Sequence, residues 1–364
     1  MSFFIRVLKQ EVSSITNLKS IGLKQRTIYQ LIIIILVSTL GIAGLSSCNS
    51  SNCDQKNRYA DVPIQLNVER LENEIIDLKN TEQVLAFFQQ NRVMANYFLD
   101  ALQYPNDTIL AKRLFRLMKQ PSIDTLIDDT KVYFSDFDQN IDQLTTAYQF
   151  IKYHYPTSRV PKIQTIITGF YNDMYISDSL IVLGLDYFAG EHGRYYPNDI
   201  PRYIVKRYMK ESLAPITLSF VSNEFNLADQ SHGTLLADMV NLGKSYYFVE
   251  QALPCTPDSL IIGYTSEEMH AVQTNQEIIW ANIIENEMLY ETSHFLKNKF
   301  IGERPNVVEI SKNCPGRVGA WLGWQIVRKY MNEHPEVSFT DLMADTDAHK
   351  IFQQSNYKPR NKSQ

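Results

Sequence analysis

The sequence predicts an α+β fold, mainly α with a small β-sheet, carried behind a removable amino-terminal segment. Three observations predict it. Apolar residues recur at helical spacing through most of the stretch from Val62 to Pro359, and two short segments near its middle are rich in β-branched residues instead. Hydroxyl, carboxylate, glycine and proline signals for helix starts and stops punctuate the remainder. No linker or shift of composition divides 62–359, so the pattern predicts one mostly helical domain there, with a polar tail over 360–364.

Residues 1–47 read as a signal peptide. Ile28 to Leu45 is almost wholly apolar, Lys19, Lys24 and Arg26 precede it, and Leu45-Ser46-Ser47-Cys48 closes it with small residues before a cysteine. That order is the signature of lipid attachment at Cys48 after cleavage. Acyl chains of the palmitate type contribute roughly 0.8 kcal/mol per buried CH₂, so they hold a folded domain at a membrane without a spanning helix. The alternative is an uncleaved anchor, since eighteen apolar residues from Ile28 nearly match a bilayer of about 30 Å. Gly41, Gly44 and the two serines favour cleavage. Asn49 to Asn52 begin a polar tether over 48–61, and the absence of an acidic run after Asn49 points to a domain facing the periplasm.

Val68, Leu71, Ile75 and Leu78 predict a first helix, and Val84, Phe87, Phe88, Tyr97 and Phe98 continue the pattern. Pro105-Asn106-Asp107 interrupts it; Leu110, Leu114 and Leu117 begin another helix that stops near Pro121. Ile141, Leu144, Tyr148 and Ile151 give one more. Lys162 to Phe170 and Ser179 to Tyr187 are short and β-branched, so they predict strands. Pro201 is placed to open a helix through Ile204, Tyr208 and Leu213, with a kink expected at Pro215. From Thr234, Leu235, Met239, Leu242, Tyr246 and Val249 form a buried stripe up to Pro254. Thr265 with Glu268 and Thr274 with Glu277 match capping boxes, the second opening a long helix from Gln276 to His294. Asn313 and Pro315 begin a helix carrying Trp321, Trp324, Ile326, Val327 and Tyr330, and Ser338 with Asp341 caps a last short one.

Without residues 1–47 the chain keeps 30 basic and 39 acidic side chains, a net charge of −9. An acidic domain with no basic run gains nothing from counterion release, which excludes nucleic acid as an expected partner. Lipid at Cys48 leaves Cys53, Cys255 and Cys314; Cys255 and Cys314 are read as a disulfide or as two buried thiols, with Cys53 left over.

Recognisable chemistry is sparse. Gly243-Lys244-Ser245 lacks the glycine a phosphate loop needs five positions earlier, where Asp238 stands. Asp136, Asp138 and Asn140 imitate a calcium loop, but Ile141 and Ala147 occupy its glycine and glutamate positions. The histidines, His154, His192, His232, His270, His294, His334 and His349, never fall at ligand spacing. Glu285, Glu287 and Glu291 offer a carboxylate pair that reads more simply as an exposed acidic face. Gly316, Gly319 and Gly323 bare one helical face at about 1 kcal/mol each relative to alanine, so something approaches closely, a neighbouring helix before a ligand. Arg317 in that helix's first turn marks an anion site as the minority reading. No catalytic, cofactor-binding or metal-binding residue is therefore expected, and Cys48 is the one covalent site.

Thr165-Ile166-Ile167-Thr168-Gly169-Phe170, Leu183-Gly184-Leu185-Asp186-Tyr187-Phe188 and Gly243-Lys244-Ser245-Tyr246-Tyr247-Phe248 resemble segments of the gliding-motility lipoprotein GldB family of Bacteroidota. So do Pro315-Gly316-Arg317-Val318-Gly319-Ala320-Trp321-Leu322-Gly323-Trp324-Gln325-Ile326-Val327-Arg328 and Ser355-Asn356-Tyr357-Lys358-Pro359. The resemblance runs from about Val62 to Pro359. It implies an envelope lipoprotein required for gliding, beside other gliding and secretion components. That family is in turn distantly similar to zincin peptidases, whose metal helix would lie within Pro201 to Phe220; there only Glu211 remains, and Leu242 stands in place of a third ligand. The resemblance therefore implies a peptidase-like scaffold with a degenerate metal site, used for binding or assembly. Two further expectations stay open. One is a hydrolase using Glu211 or the Glu285 and Glu287 pair with histidine-held metal; the other is a solute- or glycan-binding lipoprotein, suggested by abundant Tyr and Trp.

Overall fold

The computed structural model describes residues 57–228 and 233–359. The signal segment, Cys48, Cys53, most of the tether, His232 and the polar tail lie outside them. Four strands form one mixed sheet in the order β1-β2-β4-β3: β1 (Val68–Arg70), β2 (Lys162–Ile166), β3 (Met174–Ile176) and β4 (Leu180–Gly184). β1 and β4 both run parallel to β2, with Ile163 opposite Val68 on one side and Ile181 on the other. β3 returns antiparallel to β4, Tyr175 facing Val182. Every residue of β4 is buried, which is why Leu180 to Gly184 reads as a continuous apolar run rather than an alternating one.

β1 corrects the helix expected through Val68. Three residues carry no usable period, and pairing with β2 decides their conformation over the helical spacing of Leu71 and Ile75. The following Glu72 is fully buried, pairing with Arg70 and accepting from Thr165 Oγ1 at 2.7 Å, so it ties the strand end to β2.

Six helices separate β1 from β2: α1 (Glu72–Ile75), α2 (Thr81–Gln90), α3 (Arg92–Tyr97), α4 (Asp107–Met118), α5 (Pro121–Tyr133) and α6 (Asp138–His154). Asn80 and Asn106 cap α2 and α4 by accepting from Gln83 N and Ile109 N. α5 was not expected. Pro121 starts it rather than ending its predecessor, because the first turn of a helix needs no proline N–H.

Ten more follow β4: α7 (Arg202–Val205), α8 (Leu213–Val221), α9 (Leu235–Ala252), α10 (Asp258–Ile262), α11 (Ser266–Thr274), α12 (Gln276–Glu285), α13 (His294–Ile301), α14 (Val318–Glu333), α15 (Phe339–Ala344) and α16 (Ala348–Ser355). The helix expected from Pro201 through Leu213 is broken, α7 and α8 being separated by a 3-10 turn at Lys210–Ser212. Pro215 lies in the first turn of α8, where it causes no kink. The long helix expected from Gln276 to His294 also breaks, because Glu287 takes a left-handed conformation with φ of 55°. Asn275, not Thr274, precedes α12, with no side-chain cap bond, whereas the Thr265 and Glu268 box closes on α11 and Ser338 caps α15.

α9 and α14 cross at the centre of the core, glycine against glycine. A Cβ on Gly323 would lie 1.7 Å from Met239 O, and one on Gly243 2.3 Å from Gly323 C. Trp324 donates to Glu250 Oε2 at 2.8 Å, and Arg328 lies over its ring, bonding Glu250 and gripping both oxygens of Asp258 at 2.6 and 2.7 Å. These bonds lock α14 to α9 and to the start of α10.

Candidate functional site

The backbone just before α14 is held from two sides. A Cβ on Gly316 would lie 1.9 Å from Arg304 O, and Tyr264 donates its hydroxyl to Gly316 O at 2.7 Å. α14 consequently begins at Val318, three residues beyond the expected Pro315, and Arg317 sits outside the helix at φ 60°, ψ 21°. A left-handed arginine costs about 1–2 kcal/mol. What it gains is direction: Nη1 donates to Tyr246 OH at 3.2 Å, Nη2 donates to Ile262 O at the end of α10, and the guanidinium lies 5.7 Å from the Tyr264 ring centre. A cation at those last carbonyls also complements the α10 dipole.

Arg207 converges on the same place from the end of α7. The residue between them is Gly263, left-handed at φ 71°, where a Cβ would meet Arg207 Cδ at 3.2 Å and Arg317 Nη2 at 3.5 Å. Glu303 joins the pair, accepting from Arg207 Nη1 and lying 3.3 Å from Arg317 Nε. That second approach is out of line for a hydrogen bond, so the buried Nε–H has no partner. Burial works against the Arg317 charge, but Tyr246, Glu303 and Tyr264 more than offset it and its pKa lies above the usual guanidinium value. Burial likewise pushes the Tyr264 and Tyr208 hydroxyls well above the usual tyrosine range. These arginines line a cleft of about 360 Å³ together with apolar Ile204, Ile216, Leu242 and Ile261 and polar Ser219 and Asn223.

The two glycine-bearing stretches singled out in the sequence thus meet. Gly319 and Gly323 admit α13 and α9 rather than a ligand, Gly316 admits the Arg304 backbone, and Arg317 reaches the cleft. Gly243-Lys244-Ser245 is helical, as its amphipathic setting required; Ser245 lines the cleft while Lys244 turns into the core and donates to Leu227 O and Asp345 O, both at 2.8 Å. Arg207 and Glu303 were missed. They lie 110 and 14 positions from Arg317, and no spacing rule connects them.

The other candidates do not converge. Glu211, Glu285 and Glu287 are exposed on separate elements, and Glu291 accepts from Thr292 N and Ser293 N before α13. Asp136 and Asp138 are exposed, whereas Asn140 is buried and donates to Lys210 O at 2.9 Å. His154 stacks among Tyr59, Phe150 and Phe339, and burial lowers its pKa. Among the described residues no three His, Cys, Asp or Glu side chains form a group able to hold a metal ion. Cys255 is disulfide-bonded and Cys314 is a free, buried thiol pushed up to about 12, so the considered bond between those two is not formed.

Fold and cleft together define a mainly helical α+β protein with a cationic, apolar-floored recess at the start of its central helix. The chain belongs to the family described as gliding motility protein GldB, whose model matches residues 52–359. No curated protein and no solved structure matches it. No helix among the described residues is long and apolar enough to cross a membrane.

Proposed function

We propose that this gliding-motility protein is anchored in the cell envelope by lipid on Cys48, faces the periplasm, and acts without catalysis by holding a component of the gliding or secretion machinery. The observation that carries the reading is the Arg207–Arg317 cleft. Its charged groups are two arginines, which bind anions and do not exchange protons near neutral pH, and Glu303, which is ion-paired to both. The hydroxyls at its edge are already engaged: Ser219 donates to Ile216 O, and Ser245 accepts from Asn226. The carboxylates of the hydrolase reading, Glu211, Glu285 and Glu287, lie elsewhere and exposed, and Glu303, the carboxylate lining the cleft, is ion-paired to both arginines, which favours binding over the hydrolase reading.

Complementation of a gene deletion tests this. Wild-type protein is expected to restore colony spreading and C48A to leave the protein soluble and the cells non-spreading. Normal spreading of the deletion strain would remove the motility role, and spreading rescued fully by C48A would remove the lipid anchor. Stoichiometric zinc with peptidase turnover in purified protein would overturn the non-catalytic reading.

A further inference from the structure

The geometry points to the carboxy-terminal carboxylate of a partner polypeptide ending in an apolar residue as the occupant of the Arg207–Arg317 cleft, with Glu303 as a built-in stand-in that this carboxylate displaces. The inference rests on the binding reading above and names the chemistry of what is bound.

Charge comes first. Two guanidinium groups face one carboxylate in a chain whose net charge is −5, so the cleft keeps an unmatched positive charge against the sign of the whole protein. Arg317 Nε–H is sealed from solvent and lacks an acceptor, although Glu303 is only 3.3 Å away. An unsatisfied buried donor costs free energy that a better-placed acceptor, such as a ligand carboxylate, would recover.

Exposure then distinguishes Glu303 from its partners. Its side chain is 47% exposed, against 11% for Arg207 and 14% for Arg317. Arg317 is fixed by its bonds to Tyr246 and Ile262 and by the Tyr264 ring, and Arg207 lies against the Tyr203 ring, 5.7 Å from its centre; the glutamate's hydrogen bond and ion pairs among the described residues are with these two arginines. It can turn into water while Arg317 stays in place, so exchange costs little reorganisation there.

Shape selects the kind of carboxylate. The apolar floor made by Ile204, Ile216, Leu242 and Ile261 belongs to the same cavity of about 360 Å³ as the two arginines. A ligand must therefore present its carboxylate and an apolar group only a few ångströms apart. A terminal residue does this on one α-carbon, whereas an internal Asp or Glu would bring its peptide backbone into the apolar part and leave amide groups unpaired there. Ser219 and Asn223 line the same cavity and offer polar groups to the preceding peptide amides.

Full-length protein solubilised in detergent is titrated by calorimetry with the acetylated peptide Gly-Ala-Leu-Leu ending in a free acid, with its amide, with free leucine and with decanoate. The acid is expected to bind, and the amide about tenfold or more weakly, the loss typical of a charge-assisted hydrogen bond. E303Q is expected to bind the acid about tenfold more tightly than wild type, an outcome that misfolding cannot produce; R207Q is expected to lose it. The assignment is overturned if acid and amide bind alike, if E303Q shows no binding at about 1 mM peptide, or if leucine or decanoate binds as tightly as the peptide. Failure here with normal dependence of spreading on Cys48 would refute the ligand and leave the motility role standing.

Discussion

Replacing Gly323 by alanine sets helix propensity against packing at one atom. Alanine stabilises a helix interior by about 1 kcal/mol relative to glycine. Its Cβ, however, would stand 1.7 Å from Met239 O and 2.3 Å from Met239 C, and both are backbone atoms of α9 that no rotamer change can move. Restoring a contact of 3.4 Å means parting the helices by about 1.7 Å at their crossing. A gap of even 0.5–1 Å forfeits about a quarter to a half of each dispersion contact, and overpacking typically costs about 1–3 kcal/mol or more. Around Gly323 the cost extends to Met239, Val240, Trp324 and Val327, all buried. We expect G323A to lose about 3 kcal/mol net, a large part of the roughly 5–15 kcal/mol of a typical domain. Urea unfolding followed by tryptophan fluorescence measures it. G243A, against the same crossing, is expected to behave alike and to be non-additive with G323A. G233A serves as the control, since a Cβ there meets nothing within 4 Å. If G323A unfolds within about 0.5 kcal/mol of wild type, the helices do not cross as described.

Three other outcomes follow from buried groups. K244M removes the ammonium that bridges Leu227 O and Asp345 O and is expected to cost about 1–3 kcal/mol in urea unfolding, because two part-buried carbonyls lose their donor. Burial pushes the Asp186 carboxyl up to about 6, an effect its bonds from Phe170 N and Thr168 N only partly offset. The folded state then keeps a proton that the unfolded chain has lost, so this group's contribution to stability falls as pH rises from about 4 to about 6. D186N, which retains an acceptor for those amides, should gain about 2 kcal/mol on wild type between pH 4 and pH 7, and an equal difference at both pH values would refute the assignment. Finally, non-reducing peptide mapping should find Cys255 in a disulfide, and Cys314 should alkylate only after unfolding; a peptide joining Cys255 to Cys314 would refute this.

Much of the fold was legible because it depends on local signals. In the predicted stripe Leu235, Met239, Tyr246 and Val249 are buried as their spacing required, while Leu242 is only partly buried and lines the cleft, and the caps at Thr265 and Ser338 form. β2 and β4 stand where β-branched residues concentrate. What failed depends on partners remote in sequence. β1 and β3 have three residues each and are strands only because β2 and β4 pair with them. Glu287 breaks a helix without a glycine or proline to announce it. Gly323 promised a close approach but could not name Gly243, and Arg317 could not name Arg207 or Glu303.

The cleft is nevertheless a consequence of the same crossing. Arg317 stands just before α14 and Arg328 lies within it, and both side chains reach α10. One holds the last carbonyls of α10 through Ile262 O, and the other grips Asp258 at its first residue. A five-residue helix fastened at both ends to one long helix cannot shift independently of it. Gly263, which ends α10 and sets the separation of Arg207 from Arg317, is therefore positioned by the glycine contact that fixes α14 against α9. The arginine wall is in this sense part of the core, formed before anything binds, and Glu303 is the cleft group left free to respond. Core substitutions such as G323A should consequently weaken binding at the cleft without touching it, whereas E303Q should change binding and leave unfolding nearly unaltered.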